Sequence, residues 1–227
     1  MATLRGVGFD LDGTLFDHHG SASRAVDEFL GSLGVQSSPQ ARAMWFAAEE
    51  LQFERWRAGQ ISFQEQRQER LRSVLPTFGI RPPDDEVELD DLFEQYGRAY
   101  RRAWRAFSDS ASLLKGLRSA GLRVGVLTNG TQEQQLDKLT AIGLIDSLDV
   151  VCTSERIGAQ KPSSAAFGAF TVELGVSAEE CLFVGDHAEH DVAGARAAGM
   201  HALLIDRRGD HAEGIATAIH DSLALAR

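Results

Sequence analysis

Two aspartates separated by one leucine stand near the start of the chain, in Phe9-Asp10-Leu11-Asp12-Gly13-Thr14-Leu15, where an apolar run meets a glycine turn. Along extended backbone, residues i and i+2 share a face, and Gly13 lets the chain bend so that both carboxylates can point at one small volume. Taken alone, the pair either satisfies a turn or presents two acids to a ligand at the end of a strand. Three further groups favour the second reading. Leu127-Thr128-Asn129-Gly130 brings a hydroxyl, an amide and a flexible turn to the head of a helix starting near Thr131, where backbone N–H groups attract an anion. Gly185-Asp186-His187-Ala188-Glu189-His190-Asp191 supplies one acid at a strand end and another shortly after it. Gln160-Lys161-Pro162 places a single lysine in a connection, with the residue before proline biased toward an extended conformation.

The elements that must position these groups follow from the apolar pattern. Short apolar runs at Val7 to Asp10, Leu122 to Thr128, Leu148 to Thr153, Cys181 to Asp186 and His201 to Asp206 read as buried strands. From residue 109 onward they alternate with helical segments near 109–120, 131–142, 163–174 and 189–198. That alternation predicts an α/β fold, a doubly wound, Rossmann-like parallel sheet covered by helices on both faces. In such sheets ligands bind outside the carboxyl ends of the strands, where Asp10, Thr128 and Asp186 fall.

Between the first two strands lie about a hundred residues with no strand-like pattern, far more than an ordinary crossover needs. Segments near 21–33, 39–58, 62–75 and 86–105 are rich in good helix formers, and Ser62 with Glu65 fits a capping box. Pro82-Pro83 marks a break. The expected organisation is a split core, 1–17 with 106–227, and a helical cap at 18–105.

The 227 residues are 43% hydrophobic and 25% charged, an ordinary globular balance. A formal net charge of −10 gives no general attraction to nucleic acid or anionic membrane. No apolar run approaches the roughly 18 residues needed to span a bilayer, and the first residues lack the pattern of a secretory signal, so the cytoplasm is the expected compartment. Cys152 and Cys181 both lie inside apolar runs and read as buried strand residues rather than a staple.

With these motifs in their order, the sequence resembles the haloacid dehalogenase-like hydrolase superfamily, in its phosphatase branch with a helical cap after the first core strand. The resemblance rests on Asp10-Leu11-Asp12-Gly13-Thr14, on Thr128 within Leu-Thr-Asn-Gly, on Lys161 before Pro162, and on Gly185-Asp186 with Asp191. It implies that Asp10 is a nucleophile forming an aspartyl-phosphate and that Asp12 is the general acid and then the base, a role contributing about 10²–10⁴ in rate. Thr128 and the N–H of Asn129 would hold phosphate oxygens, and Lys161 would neutralise charge on the phosphoryl group and on Asp10. Asp10, Asp186 and Asp191 would repel a phosphate dianion by about 4 kcal/mol per unit-charge pair at 4 Å and an effective dielectric near 20, so a cation is required. Magnesium suits an all-oxygen site. Its implied ligands are Asp10, the Asp12 backbone carbonyl and Asp186, with Asp191 a ligand through water or a partner orienting Lys161.

The implied activity is magnesium-dependent hydrolysis of a small phosphorylated metabolite. A phosphomutase, a haloacid dehalogenase-like hydrolase and a non-catalytic phospho-acceptor module are the alternatives, and Asp12 argues against dehalogenation because a halide leaves without a proton. His187 and His190 read as loop and helix-start residues rather than transition-metal ligands. His18 and His19, at the exit from the core, are weighed as substrate contacts against solvated linker residues. Tyr100, Arg101, Arg102, Trp104 and Arg105, at the return to the core, are weighed as a source of an arginine for an anionic leaving group against a basic helix end with Trp104 packed between cap and core. Trp45, Phe46, Phe53 and Trp56 read as the apolar core of the cap.

Overall fold

The computed structural model describes residues 3–225. Five parallel strands, β1 (Gly6–Phe9), β2 (Arg123–Thr128), β3 (Val150–Thr153), β4 (Cys181–Gly185) and β5 (His201–Leu204), form one sheet in the order β3-β2-β1-β4-β5. This is the parallel α/β sheet expected from the alternating pattern. β1 is central, and Phe9 is level with Val126 on one side and Val184 on the other. Thr128 and Asp186 each lie two residues beyond that level and Asp10 one beyond, so all three emerge at the carboxyl edge.

Contacts divide the chain into two units, one of the residues up to His18 with those from Trp104 on, the other His19–Ala103. The second unit is helical. α1 (His18–Ser32), α2 (Pro39–Arg57), α3 (Phe63–Val74) and α4 (Glu86–Ala103) form it, apart from the first residue of α1. The capping box at the head of α3 is present: the Ser62 hydroxyl accepts from the Glu65 N–H at 3.0 Å, and the Glu65 carboxylate accepts from the Ser62 N–H at 2.6 Å. Trp45 is fully buried against Phe29 and Tyr96, whereas Phe46, Phe53 and Trp56 are only half-buried. The aromatic series is therefore core at one position and margin at three, with His19 stacked on Phe46. A buried ion pair joins Arg70 to Glu49 at 2.6 Å.

In the first unit, α5 (Ser110–Ser119), α6 (Gln132–Ala141), α7 (Ser154–Ile157), α8 (Ser164–Leu174), α9 (Gly194–Ala197) and α10 (Ala216–Leu225) accompany the strands. α8 packs on the sheet through Phe170, whose ring covers Gly8 and Gly125, neighbours in register on β1 and β2. A Cβ would approach that ring to 2.6 Å at Gly8 and 2.9 Å at Gly125. The exit and return of the helical insertion are joined: Phe16 bridges Ala106 antiparallel, the Asp17 N–H donates to the Arg105 carbonyl at 3.0 Å, and Arg105 Nε donates to the Asp17 carboxylate at 2.7 Å. Trp104 stands edge-on to Phe16.

One element departs from the expected pattern. The segment read as a single helix over 189–198 is a π-helical turn, Ala188–Ala193, followed by the short α9. His187 caps that turn, its Nδ1 accepting from the Glu189 and His190 N–H groups at 3.3 and 3.1 Å. The acid that the turn carries, Asp191, accepts the His187 N–H at 3.0 Å. No helix among the described residues is long and apolar enough to cross a membrane.

Candidate active site

The Asp10 N–H donates to the Val184 carbonyl at 2.9 Å, continuing the ladder one residue past β1, and then the chain folds back. The Leu11 carbonyl accepts the N–H groups of Thr14, Leu15 and Phe16 at 3.3, 3.1 and 2.9 Å. This tight wrap requires the left-handed backbone of Gly13, at φ +87°. Arg207 fixes the loop from outside, its Nε donating to the Thr14 carbonyl at 2.9 Å and its Nη1 to Asp109 at 2.8 Å.

Oxygens of Asp10, Asp186 and Asp191 lie within 4.8 Å of one another. Lys161 stands among them, with Nζ 2.6 Å from Asp10 Oδ1 and 2.5 Å from Asp191 Oδ1. Lys161, Asp10 and Asp191 are buried, and Asp186 is exposed at the rim. Gly185 leaves the space that the Asp191 side chain fills. Asp191 thus has one oxygen on Lys161 and the other on the His187 N–H, the arrangement of a partner that orients the lysine.

The electrostatics follow from three acids facing one ammonium. Burial raises the Asp10 carboxyl well above the usual range, Lys161 opposes, and the like charges of Asp191 and Asp186 add to the rise. Asp186, exposed as a residue but with its carboxylate packed against Gly13, is pushed up to about 6, first by the loss of water around that carboxylate and then by Asp191, against Lys161. Burial works against the charge on Lys161, but Asp10 and Asp191 outweigh it and hold the ammonium protonated. The site is short of positive charge, and its donors are all oxygen. Both features fit a hard divalent cation such as magnesium.

Asp12 does not join this cluster. The chain turns between the two acids, yet Asp12 stays near enough to the cluster for its charge to raise the Asp186 carboxyl. Lys138 Nζ lies 2.6 and 2.9 Å from the two Asp12 oxygens, and Gln135 Nε2 donates to Oδ2 at 3.2 Å. Burial would raise the Asp12 carboxyl, but Lys138 and His18 together hold it below its usual value.

Thr128 is buried, and its hydroxyl oxygen accepts from Gln135 Nε2 at 2.7 Å. α6 begins where the sequence placed it, with Thr131 as its cap accepting the Gln134 N–H. The Asn129 side chain is tied to the lysine loop, its Oδ1 accepting the Lys161 N–H at 2.8 Å and its Nδ2 donating to the Lys161 carbonyl at 3.0 Å. His187 and His190 stack on each other, His187 capping the π turn in which His190 lies, and neither joins the acid cluster. Arg102 pairs with Glu28 within the helical unit.

Sequence reasoning missed Gln135, Lys138 and Arg207. The first two carried a faint signal: with Leu139 they make an inward face on α6, and a lysine on such a face needs a buried partner.

The profile of the haloacid dehalogenase-like hydrolases matches residues 4–199. Among curated relatives, the ribulose-1,5-bisphosphate 5-phosphatase of Halopiger xanaduensis is 32% identical over 209 residues, covering 91% of this chain and 85% of that protein. The phosphoglycolate phosphatase of Yersinia pseudotuberculosis is 29% identical, covering 98% and 89%. Among solved structures, the magnesium-bound hydrolase YfnB of Bacillus subtilis superposes with a TM-score of 0.78 at 20% identity, covering 92% of this chain and 90% of that one. The L-2-haloacid dehalogenase of Xanthobacter autotrophicus gives 0.70 at 26% identity, covering 96% and 83%. On a match that spans β1 to β4 and the helical insertion, the chain belongs to the haloacid dehalogenase-like hydrolase family.

Proposed function

We propose that this protein is a magnesium-dependent phosphohydrolase that cleaves a small phosphorylated metabolite through an aspartyl-phosphate on Asp10. The observation that carries the reading is Lys161 Nζ, held between Asp10 and Asp191 beside a cluster of three carboxylates. An ammonium fixed against the nucleophile screens it from an incoming dianion and offsets charge on the transferring group. Asp10 attacks phosphorus with its free oxygen, and Asp12, ionised beside Lys138 in the free site, takes up a proton as the substrate binds and gives it to the departing oxygen. Asp12 then takes a proton from the water that hydrolyses the intermediate, which splits one slow displacement into two. Thr128 and the Asn129 N–H hold phosphate oxygens, the Asn129 side chain being engaged with the Lys161 backbone. Asp10, Asp186 and the Asp12 carbonyl would hold magnesium, with Asp191 anchoring Lys161. When bound, that ion would supply the positive charge that three carboxylates and a phosphate otherwise lack.

We read the unit His19–Ala103 as the cap that selects the substrate. The relatives named for ribulose-1,5-bisphosphate and phosphoglycolate support a small anionic phosphate ester as the substrate class. A dehalogenase would have no use for a proton donor at Asp12.

The test is release of inorganic phosphate from a panel of sugar phosphates, phosphoglycolate and nucleoside monophosphates, with magnesium and with chelator. Magnesium-dependent release, abolished in Asp10→Asn, is expected. Release that persists in Asp10→Asn, or halide release from 2-chloropropionate in its place, would overturn the reading.

A further inference from the structure

The inward face of α6 joins two residues of the proposed site that come from different strands. Gln135 and Lys138 lie one turn apart, and both are buried, at 2% and 4% exposure. Lys138 spans both oxygens of Asp12 and lies 5.1 Å from the Phe16 ring centroid, so its ammonium is boxed by a carboxylate and an aromatic ring at the two ends of the Asp12–Phe16 loop. Gln135 reaches Asp12 Oδ2 at 3.2 Å, Thr128 Oγ1 at 2.7 Å and the Asn129 carbonyl at 3.2 Å with the same amide nitrogen. A hydroxyl that accepts from Gln135 has its own proton left to donate elsewhere.

We propose that Lys138 and Gln135 are positioning residues, Lys138 fixing the plane of the Asp12 carboxylate and Gln135 turning the Thr128 hydroxyl outward as a donor to phosphate. The inference rests on Asp12 as general acid and base and on Thr128 as a phosphate contact. Two hydrogen bonds from one ammonium restrain rotation of the carboxylate, and proton transfer needs that oxygen within hydrogen-bond reach of the departing one. Neither residue touches the substrate in this role. A helix face built this way couples the loop after β1 to the end of β2.

The experiment compares phenyl phosphate with p-nitrophenyl phosphate, which share a ring but differ in how much the leaving oxygen needs a proton. Asp12→Asn, measured first, should lose more activity on phenyl phosphate. Lys138→Met should show the same bias, a loss about tenfold greater on phenyl phosphate than on p-nitrophenyl phosphate, with Lys138→Arg restoring most of it. A merely structural lysine would depress both substrates by one factor.

Should Lys138→Met fail to fold, Lys138→Gln keeps one donor and carries the same comparison with a smaller bias. Equal losses on both substrates in the folded variant, beside a biased Asp12→Asn, overturn the proposal while leaving the general acid in place. An unbiased Asp12→Asn removes the general acid, and the proposal falls with it. For Gln135, the Gln135→Met change should raise KM severalfold in wild type and add nothing to Thr128→Ala. Additive losses would show that Gln135 does not act through Thr128.

Discussion

Gly13 and Asp186 compete for one space: a Cβ on residue 13 would fall on the Asp186 carboxylate. Residue 13 also holds a left-handed backbone, at φ +87°. Gly13→Ala therefore carries a backbone cost of about 1–2 kcal/mol and pushes a proposed metal ligand aside. Magnesium half-saturation should rise by roughly tenfold or more, as when a group that orients a ligand is lost. A magnesium titration of activity, run beside a urea melt, checks both, and an unchanged titration would count against Asp186 as a ligand.

Lys161 and Asp191 should respond differently to removal. Lys161→Met leaves Asp10 and Asp191 facing each other without their ammonium, which should cost about 3–5 kcal/mol of stability and abolish detectable turnover. Asp191→Asn keeps a hydrogen-bonding oxygen on Lys161 and should lower kcat while leaving a folded, magnesium-responsive protein. Urea unfolding and steady-state kinetics distinguish the two outcomes.

The response to pH follows from Asp186, which burial and Asp191 push up to about 6 from an ordinary 3.8. Because the folded value lies above the unfolded one, this carboxyl favours the folded state at low pH, and that contribution is lost as pH rises through about 6. A cation needs the carboxylate form and competes with the proton. Magnesium should thus raise the melting temperature more at about pH 7.5 than at about pH 5, and Asp186→Asn should flatten the difference. An equal rise at both pH values in the unaltered protein would show that Asp186 is not coupled to the ion.

Packing under the site gives a prediction that is independent of chemistry. Phe170 lies over Gly8 and Gly125, so Gly8→Ala forces the ring away and should destabilise by about 1–3 kcal/mol, and Phe170→Ala by about 3–5 kcal/mol. Thermal or urea denaturation measures both. A neutral Gly8→Ala would mean that α8 can slide on the sheet.

The two cysteines should be silent. Both are fully buried, and burial pushes each thiol up to about 12, so neither carries thiolate at neutral pH. The native protein should not react with a thiol reagent near pH 8, while the denatured chain should titrate both groups.

What could be read from the sequence was whatever the strand ends impose. Asp10, Thr128 and Asp186 terminate buried apolar runs, where a polar side chain stands out and the parallel register fixes its place. Lys161 was legible only in combination, as the single lysine in a connection between strands whose neighbours end in Asp10, Thr128 and Asp186. Lys138 and Gln135 left only the faint signal of a face shared with Leu139, in a stretch, Gln132-Glu133-Gln134-Gln135-Leu136-Asp137-Lys138, that otherwise looks like a solvated helix face. The π turn was equally opaque, since the tertiary contacts of Asp191 with Lys161 and the His187 amide leave no mark in the local sequence. In the helical unit the capping box was readable because both of its partners lie within four residues. Which aromatics would be core depended on how α2 meets α1 and α4, which no local pattern records.

The paired stem at Phe16–Asp17 and Arg105–Ala106 means that the polypeptide departs and comes back through a single doorway. Whatever is threaded through that doorway can be lengthened, shortened or exchanged without rewiring the order of the strands behind it. On the proposed reading, in which the helical unit selects the substrate, substrate preference and reaction chemistry would be housed in separate parts, and the junction between residues 17 and 105 would be the natural place to graft one relative's selectivity onto another's chemistry.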